Sequence, residues 1–139
     1  MSAAYLDAIV ALIEAGDPRL AGRVFDTALE RDGTPRKGTY VVIFLGNPDL
    51  QPGRLTMAQT PDSDAVIDFT VRCVTEGADG LRDIASSTFN ALVGKKPAVD
   101  GRSCSKIAHR AGDHFGWDTD ATPPAYLADD DYRFSSYAA

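Results

Sequence analysis

The chain has 139 residues and a formal net charge of −6, with 44% hydrophobic and 24% charged residues. This length and composition are typical of one soluble globular domain, which we expect to span residues 1–139. The acidic balance argues against a protein that grips nucleic-acid phosphates, because such binding requires clustered Lys and Arg.

Membrane insertion and secretion are also not expected. The longest apolar run, Tyr40–Leu45, is far shorter than the roughly 20 residues of a membrane-spanning helix. The first residues lack the basic start of a secretory signal. Cys73 and Cys104 are the two cysteines, too few for a disulfide framework, so we expect folding in a reducing cytosol.

The first third of the chain predicts one clear helix. Ser2 is a suitable N-cap, and apolar residues recur at helical spacing up to about Ala15, where Gly16 and then Pro18 end the helix. Residues 20–31 fit either a short helix or an extended segment. Residues 32–38 have the composition of a loop.

The middle of the chain predicts strands. Tyr40–Leu45 is continuously apolar, which is typical of a strand buried on both faces. A turn-rich stretch at 46–53 precedes a second, mostly polar strand predicted at Arg54–Thr60, near a sheet edge. Val66–Thr75 alternates strictly, with Ile67 to Cys73 presenting every second side chain to a core.

A second amphipathic helix is predicted at Ala78–Val93, and its apolar stripe predicts that Phe89 shares one core with Phe69. Arg102–His109 and Tyr132–Tyr137 are the remaining predicted strands. An extended acidic arm is predicted between them, at about residues 112–131. The expected fold is α+β, with a small mixed or antiparallel sheet of about four or five strands packed by two main helices.

The spacing Cys104-x4-His109-x4-His114 partly matches a zinc knuckle. The position of the knuckle's first cysteine is Gly101, so one ligand is missing, although Asp113 offers an alternative. Structural zinc normally needs four good ligands, so a polar strand followed by a turn is the favoured interpretation, with no metal.

Two further motifs are incomplete. The glycines of Gly33–Gly38 have the spacing of a phosphate-binding loop, but the required Lys is absent and a strand follows where a helix is needed. The aspartates near Asp118 and at Asp129–Asp131 lack the Gly and Glu of a calcium loop. With no catalytic motif and only two histidines, we expect neither a cofactor nor enzymatic activity.

The loops at residues 32–38 and 46–55 and the acidic arm at 112–131 are the expected contact surfaces, because long loops on a rigid scaffold commonly carry recognition. Trp117 and Tyr126 are suitable aromatic anchors, and the acidic groups near them can steer a basic partner or repel DNA. A solvated loop with a local aromatic cluster is the alternative. The predicted interface residues are Arg36, Lys37, Asn47, Asp49, Arg54, Trp117, Asp118, Asp120, Tyr126, Asp129, Asp130 and Asp131.

The chain resembles tail terminator proteins of long, non-contractile-tailed (siphovirus-type) bacteriophages that infect actinobacteria. The resemblance covers most of the chain and depends on the order of its segments, none of which is diagnostic alone. These segments are the first helix, Gly22–Asp26, Tyr40–Phe44, Asp68–Val74, Ala91–Gly94, Trp117–Asp120, Pro123–Tyr126 and Tyr132–Tyr137.

The resemblance implies a virion protein of the tail–head junction, assembled in the host cytoplasm. Such proteins form a hexameric ring that caps the tail tube, ends its polymerisation and docks the head-side connector, while DNA passes through the lumen without specific binding. Two alternatives remain open: another neck protein, such as a stopper or head-completion protein, and a small-ligand-binding α+β domain. The latter would need a closed apolar pocket with convergent polar groups.

Overall fold

A computed structural model describes residues 2–27, 30, 33, 36–46, 49–50, 64–112, 116–118 and 125–138. In this part of the chain, the helices are α1 (Ser2–Gly16), a short 3-10 helix (Pro18–Leu20) and α2 (Ala78–Leu92). The strands described are β1 (Val24–Phe25), β2 (Tyr40–Leu45), β3 (Asp49–Leu50), β4 (Ala65–Thr75), β5 (Arg102–Cys104), β6 (Ala108–Gly112), β7 (Gly116–Asp118) and β8 (Ala125–Ala138).

These strands form one mixed sheet with β4 and β8 at its centre. β1 lies at one edge and runs parallel to β2, while β2 and β3 follow one another along the same side of β4. β8 pairs antiparallel with the whole of β4. Its other side pairs with β5, β6 and β7, which together make the second edge. The predicted α+β class, with two main helices on a small mixed sheet, is confirmed.

The main core lies between the sheet and the helices. From Ala65 to Cys73, every second side chain of β4 is buried and the others are half-buried or exposed, as the alternation predicts. Phe69 stacks on Tyr132 at a centroid distance of 5.4 Å, and Phe134 meets Phe69 edge-on at 6.1 Å. Three aromatic rings from the two central strands therefore fill the middle of this core.

The two helices cover different halves of the sheet. α1 packs on β1 and β2, and α2 packs on β4 and β8. The Tyr5 hydroxyl donates a hydrogen bond to Ser136 Oγ at 2.8 Å, which ties the first helix to the last strand. The helices approach each other at Gly16, where an added Cβ would lie 2.4 Å from the Cβ of Ala91. A larger residue at position 16 would therefore separate the helices.

Asp17 fixes the turn after α1. Its side chain is 4% exposed and accepts hydrogen bonds from Arg19 N, Nε and Nη2 and from Ser87 Oγ, at 2.8–3.0 Å. The bonds from Arg19, aided by Ser87, lower the pKa of the carboxyl to about 2 despite its burial. Because Ser87 belongs to α2, one buried carboxylate joins both helices, and Arg19 extends the network to Asp83.

Several predicted boundaries are corrected. The undecided segment 20–31 begins with the end of the 3-10 helix and then becomes extended as β1. The predicted strand Arg102–His109 is divided into β5 and β6. Between them Ile107 leaves β8 and instead bridges to Val93 at the end of α2. The strand predicted at Arg54–Thr60 lies outside the described residues.

The predicted acidic arm at 112–131 is wrong as a continuous loop. β7 and β8 pair as a hairpin in which Asp118 faces Ala125, and β8 already includes residues 125–131. The pairing with β4 explains the correction, since Arg72 lies opposite Asp129 and Thr70 lies opposite Asp131. Long-range partners therefore hold an acidic stretch in a strand that its composition alone does not favour.

The prediction that Phe89 lies in the core with Phe69 is also wrong. Phe89 is 38% exposed, whereas Phe69 is 3% exposed. α2 turns Leu81 and Ile84 fully inward and leaves Phe89 at the margin of its buried face. There its ring meets His109 of β6 edge-on at a centroid distance of 5.2 Å.

Candidate interaction surface

The predicted interface residues on β8 lie on two different faces of the sheet. Tyr126 and Asp130 are in register with Thr75 and Val71 of β4, on the helix side. Asp129 and Asp131 are in register with Arg72 and Thr70, on the side away from the helices, which we call the outer face. The acidic run therefore does not form a single acidic surface.

On the outer face, the acidic groups are engaged within the chain. Arg72 binds Asp129 through two bonds of 2.8 and 2.9 Å, and Arg133 binds Asp68 through two bonds of 2.6 and 3.0 Å. The hydroxyl of Thr70 donates to Asp131 at 2.6 Å. Hydrogen bonds from Arg133 lower the pKa of Asp68. The centre of this face is thus a lattice of cross-strand pairs with little free negative charge.

Arg36 packs against an apolar cluster on the outer face. The outer face carries a small cluster built on Tyr40, Val42 and Val74, with Phe25 packed against it. The guanidinium of Arg36 lies 3.5 Å from the centroid of the Phe25 ring, and its side chain is 11% exposed. Lys37 is exposed, and its place in an interface remains a prediction.

The other predicted interface residues are placed only by their backbone or not at all. Asp49 belongs to β3, and Trp117 and Asp118 belong to β7. Asn47, Arg54 and Asp120 lie outside the described residues. Their contributions to an interface remain predictions.

His109 is held by Asp130. Its Nε2 lies 2.9 Å from Asp130 Oδ1, and its ring packs edge-on against both Phe89 and Tyr132. Gly112 makes this possible, because an added Cβ there would lie 2.6 Å from the same Asp130 oxygen. Cys104 sits on β5, and His114 lies outside the described residues. Among the described residues, no group of three His, Cys, Asp or Glu side chains is arranged to hold a metal.

The Tyr132 hydroxyl and the Cys73 thiol are buried in the core. The hydroxyl of Tyr132 has no hydrogen-bond partner in the described structure. Burial raises its pKa, and the negative charge of Asp130 raises it further. Burial likewise raises the pKa of the Cys73 thiol to about 12, and Thr88 Oγ1 lies 3.8 Å from its sulfur. A thiol in this state is a poor nucleophile. We therefore assign both groups to packing.

Two shallow surfaces flank the helix layer at its opposite sides. The first, the α1 groove, has a volume of about 580 Å³ and is lined by Ala3, Leu6, Asp26, Ile43, Phe44, Leu45 and Gly46. The second, the Phe89 surface, has a volume of about 510 Å³ and is lined by Arg82, Ala85, Ser86, Phe89, Asn90 and Asp130. Both are open to solvent among the described residues, unlike the closed pocket that a small-ligand site requires.

The amino-acid sequence alone indicates neither surface. Phe89 has the helical spacing of a core residue, so the sequence predicts that it is buried. Its exposure depends on the rotation of α2 about its own axis relative to β6. The α1 groove combines residues from α1, β2 and the end of β1, which are distant in the sequence. No local pattern indicates either surface.

No family model and no curated protein matches this chain. Its structure is similar to that of a solved chain described as part of the "virion of native gene transfer agent (GTA) particle", with a TM-score of 0.64. The match covers 98% of this chain and 97% of that chain at 21% sequence identity. At this identity, the likeness establishes a shared fold. In the described part of the chain, neither helix is long and apolar enough to cross a membrane.

Proposed function

We propose that this chain is a structural, non-enzymatic component of a phage-like particle. The observation that carries the proposal is the fold shared with a chain of the gene transfer agent virion, over almost the full length of both chains. The match covers nearly all of the solved virion chain as well as nearly all of this one. The engaged charges of the outer face agree with a role in packing and not in chemistry.

Within such a particle, we assign the chain to the tail terminator. This finer role is supported by the sequence resemblance to tail terminator proteins. As a terminator, the chain forms a hexameric ring that ends tube polymerisation and joins the tail to the head-side connector. Its partners are then other copies of itself, the tail tube protein and a stopper protein, and the genome passes through the lumen.

Particles assembled without this protein test the role. A missing terminator leaves the tube without a cap, so we expect abnormally long tails that carry no heads in electron micrographs. Loss of a stopper protein instead leaves tails of normal length beside separate heads, and that result would reassign the chain to a different neck position. Normal, infectious particles would contradict a structural role at the junction.

The Trp117→Ala substitution tests which part of the chain joins the tail to the head. Trp117 belongs to the β7–β8 hairpin, opposite Tyr126. Trp117→Ala should leave a folded protein but produce long or headless tails, because an aromatic anchor at an interface contributes much of its binding energy. Tyr137→Ala, at the exposed far end of β8, is the matched control and should assemble normally. If Trp117→Ala also assembles normally, the loop at residues 46–55 becomes the next candidate for this contact.

A further inference from the structure

We propose that the Phe89 surface of one copy of this chain docks into the α1 groove of the next copy, head to tail, as the subunit contact of the ring. This inference rests on the proposed function for the ring itself. It adds which surfaces meet and which residues make the contact.

The two surfaces are complementary in shape. Phe89 is one of the large hydrophobic side chains left exposed in the described structure, at 38%, and it stands at the margin of α2. The α1 groove offers a concave apolar wall from Leu6, Ile43 and Leu45. Protein interfaces are commonly anchored by an aromatic side chain of one surface that fills an apolar pocket on the other. Phe89 and the α1 groove have these two properties.

The two surfaces lie toward opposite edges of the sheet. The groove lies over β2, toward the β1 edge, and Phe89 lies against β6, at the opposite edge. The two surfaces therefore cannot meet within one chain. A contact between two different surfaces of identical subunits is heterologous, and a heterologous contact produces either a closed ring or an open helix.

Both surfaces also lie on one cross-strand row of the sheet. Leu45 in the groove pairs with Phe69, Phe69 pairs with Tyr132, and Tyr132 pairs with His109, on which Phe89 packs. Both surfaces thus lie at the ends of one cross-strand row, at the same level along the strands. A closed ring adds no translation along its rotation axis from copy to copy, and two surfaces at one level of the sheet can meet that condition.

The two surfaces also differ in charge. Asp26 lines the α1 groove, and the Phe89 surface carries Arg82 together with Asp130, which is engaged by His109. Opposite charges at the rim of a contact favour the correct pairing and speed association. A second copy of this chain therefore fits the groove both in apolar shape and in charge.

Cross-linking tests the proposal in the full-length protein. Ala3→Cys places a thiol at the rim of the groove, and Ser86→Cys places one beside Phe89, while the native Cys73 and Cys104 are buried. With a short bismaleimide, we expect neither single variant to cross-link to itself. A mixture of the two should form covalent dimers only. A chain carrying both substitutions should form a ladder that ends at a closed hexamer.

Two variants give the controls. Ala11→Cys replaces the groove thiol by one on the exposed face of α1, outside the groove, and should not form the ladder with Ser86→Cys. Phe89→Glu in the doubly substituted chain should abolish the ladder without unfolding the protein, because the site is already part-exposed.

The outcomes separate this contact from the proposed ring. Self-cross-linking of either single variant would overturn the head-to-tail arrangement. Rings in electron micrographs without a ladder would overturn this contact and leave the ring proposal intact. A ladder that closes at another size would support the contact and contradict the hexamer, and neither rings nor a ladder would contradict both.

Discussion

Replacement of Asp17 by Asn should make the protein less stable at neutral pH and less sensitive to acid. Asp17 is almost fully buried, and its carboxylate accepts bonds from Arg19 and Ser87. Its pKa is lowered from 3.8 to about 2. At about 1.36 kcal/mol per pH unit, this difference corresponds to about 2.4 kcal/mol.

The expected effect is smaller than this value, because the Arg19 side chain is 57% exposed and water screens the pair. We therefore expect Asp17→Asn to lower the free energy of unfolding by about 1–2 kcal/mol at pH 7. The sign of the pH dependence follows from a lowered pKa. The stabilisation by Asp17 is fully present above about pH 4 and is lost as the pH falls toward 2.

This effect can be measured by urea unfolding of the wild type and of Asp17→Asn at a series of pH values. The series runs from pH 7 down to about pH 2.5, or to the lowest pH at which both proteins still fold. The difference between the two proteins should shrink as the pH falls. Asp83→Asn is the matched control, since Asp83 binds the same Arg19 from an exposed position and its loss should cost about 0.5 kcal/mol or less. A difference for Asp17→Asn that stays constant with pH would refute the reasoning.

Three further predictions concern stability. In denaturant unfolding, Phe69→Ala should lower the free energy of unfolding by about 3–5 kcal/mol and Phe89→Ala by only about 1 kcal/mol, because only Phe69 is buried. Equal losses would contradict the position of Phe89 at the margin of the buried face of α2. A double-mutant cycle on Arg72 and Asp129 should give a coupling of about 0.5–1 kcal/mol that weakens with added salt, and a coupling that is zero at low salt would count against the outer-face lattice. Tyr132→Phe should leave thermal stability unchanged or raised, since the hydroxyl is buried without a described partner, and a loss above about 1 kcal/mol would reveal a hidden bond.

The sequence predicts those parts of the fold whose signal is local. The alternation of β4, the position of strand β2 and the buried residues of α1 all follow from patterns within one segment, although Phe44 of β2 is exposed and not buried as its apolar run predicts. The acidic stretch before Tyr132 gives the opposite local signal. It forms a strand because Arg72, 57 positions from Asp129, lies beside it in the sheet.

The same limit applies to the candidate surfaces. His109 has a spacing to Cys104 that suggests a metal ligand, but the pairing of β6 with β8 places Asp130 at its ring nitrogen. The exposure of Phe89 depends on the packing angle of α2, which its amphipathic pattern does not define. Contacts of this kind depend on register and helix packing, so they require the three-dimensional structure.

The position and copy number of this chain in assembled particles test the central claim most directly. Purified particles that carry an epitope tag on this chain can be labelled with gold and imaged, and the bound copies can be counted against the tail tube protein by quantitative mass spectrometry. The account predicts label only at the tail–head junction, with one hexamer per particle. Label along the tail or at its far tip, or a copy number of one or three, would contradict it.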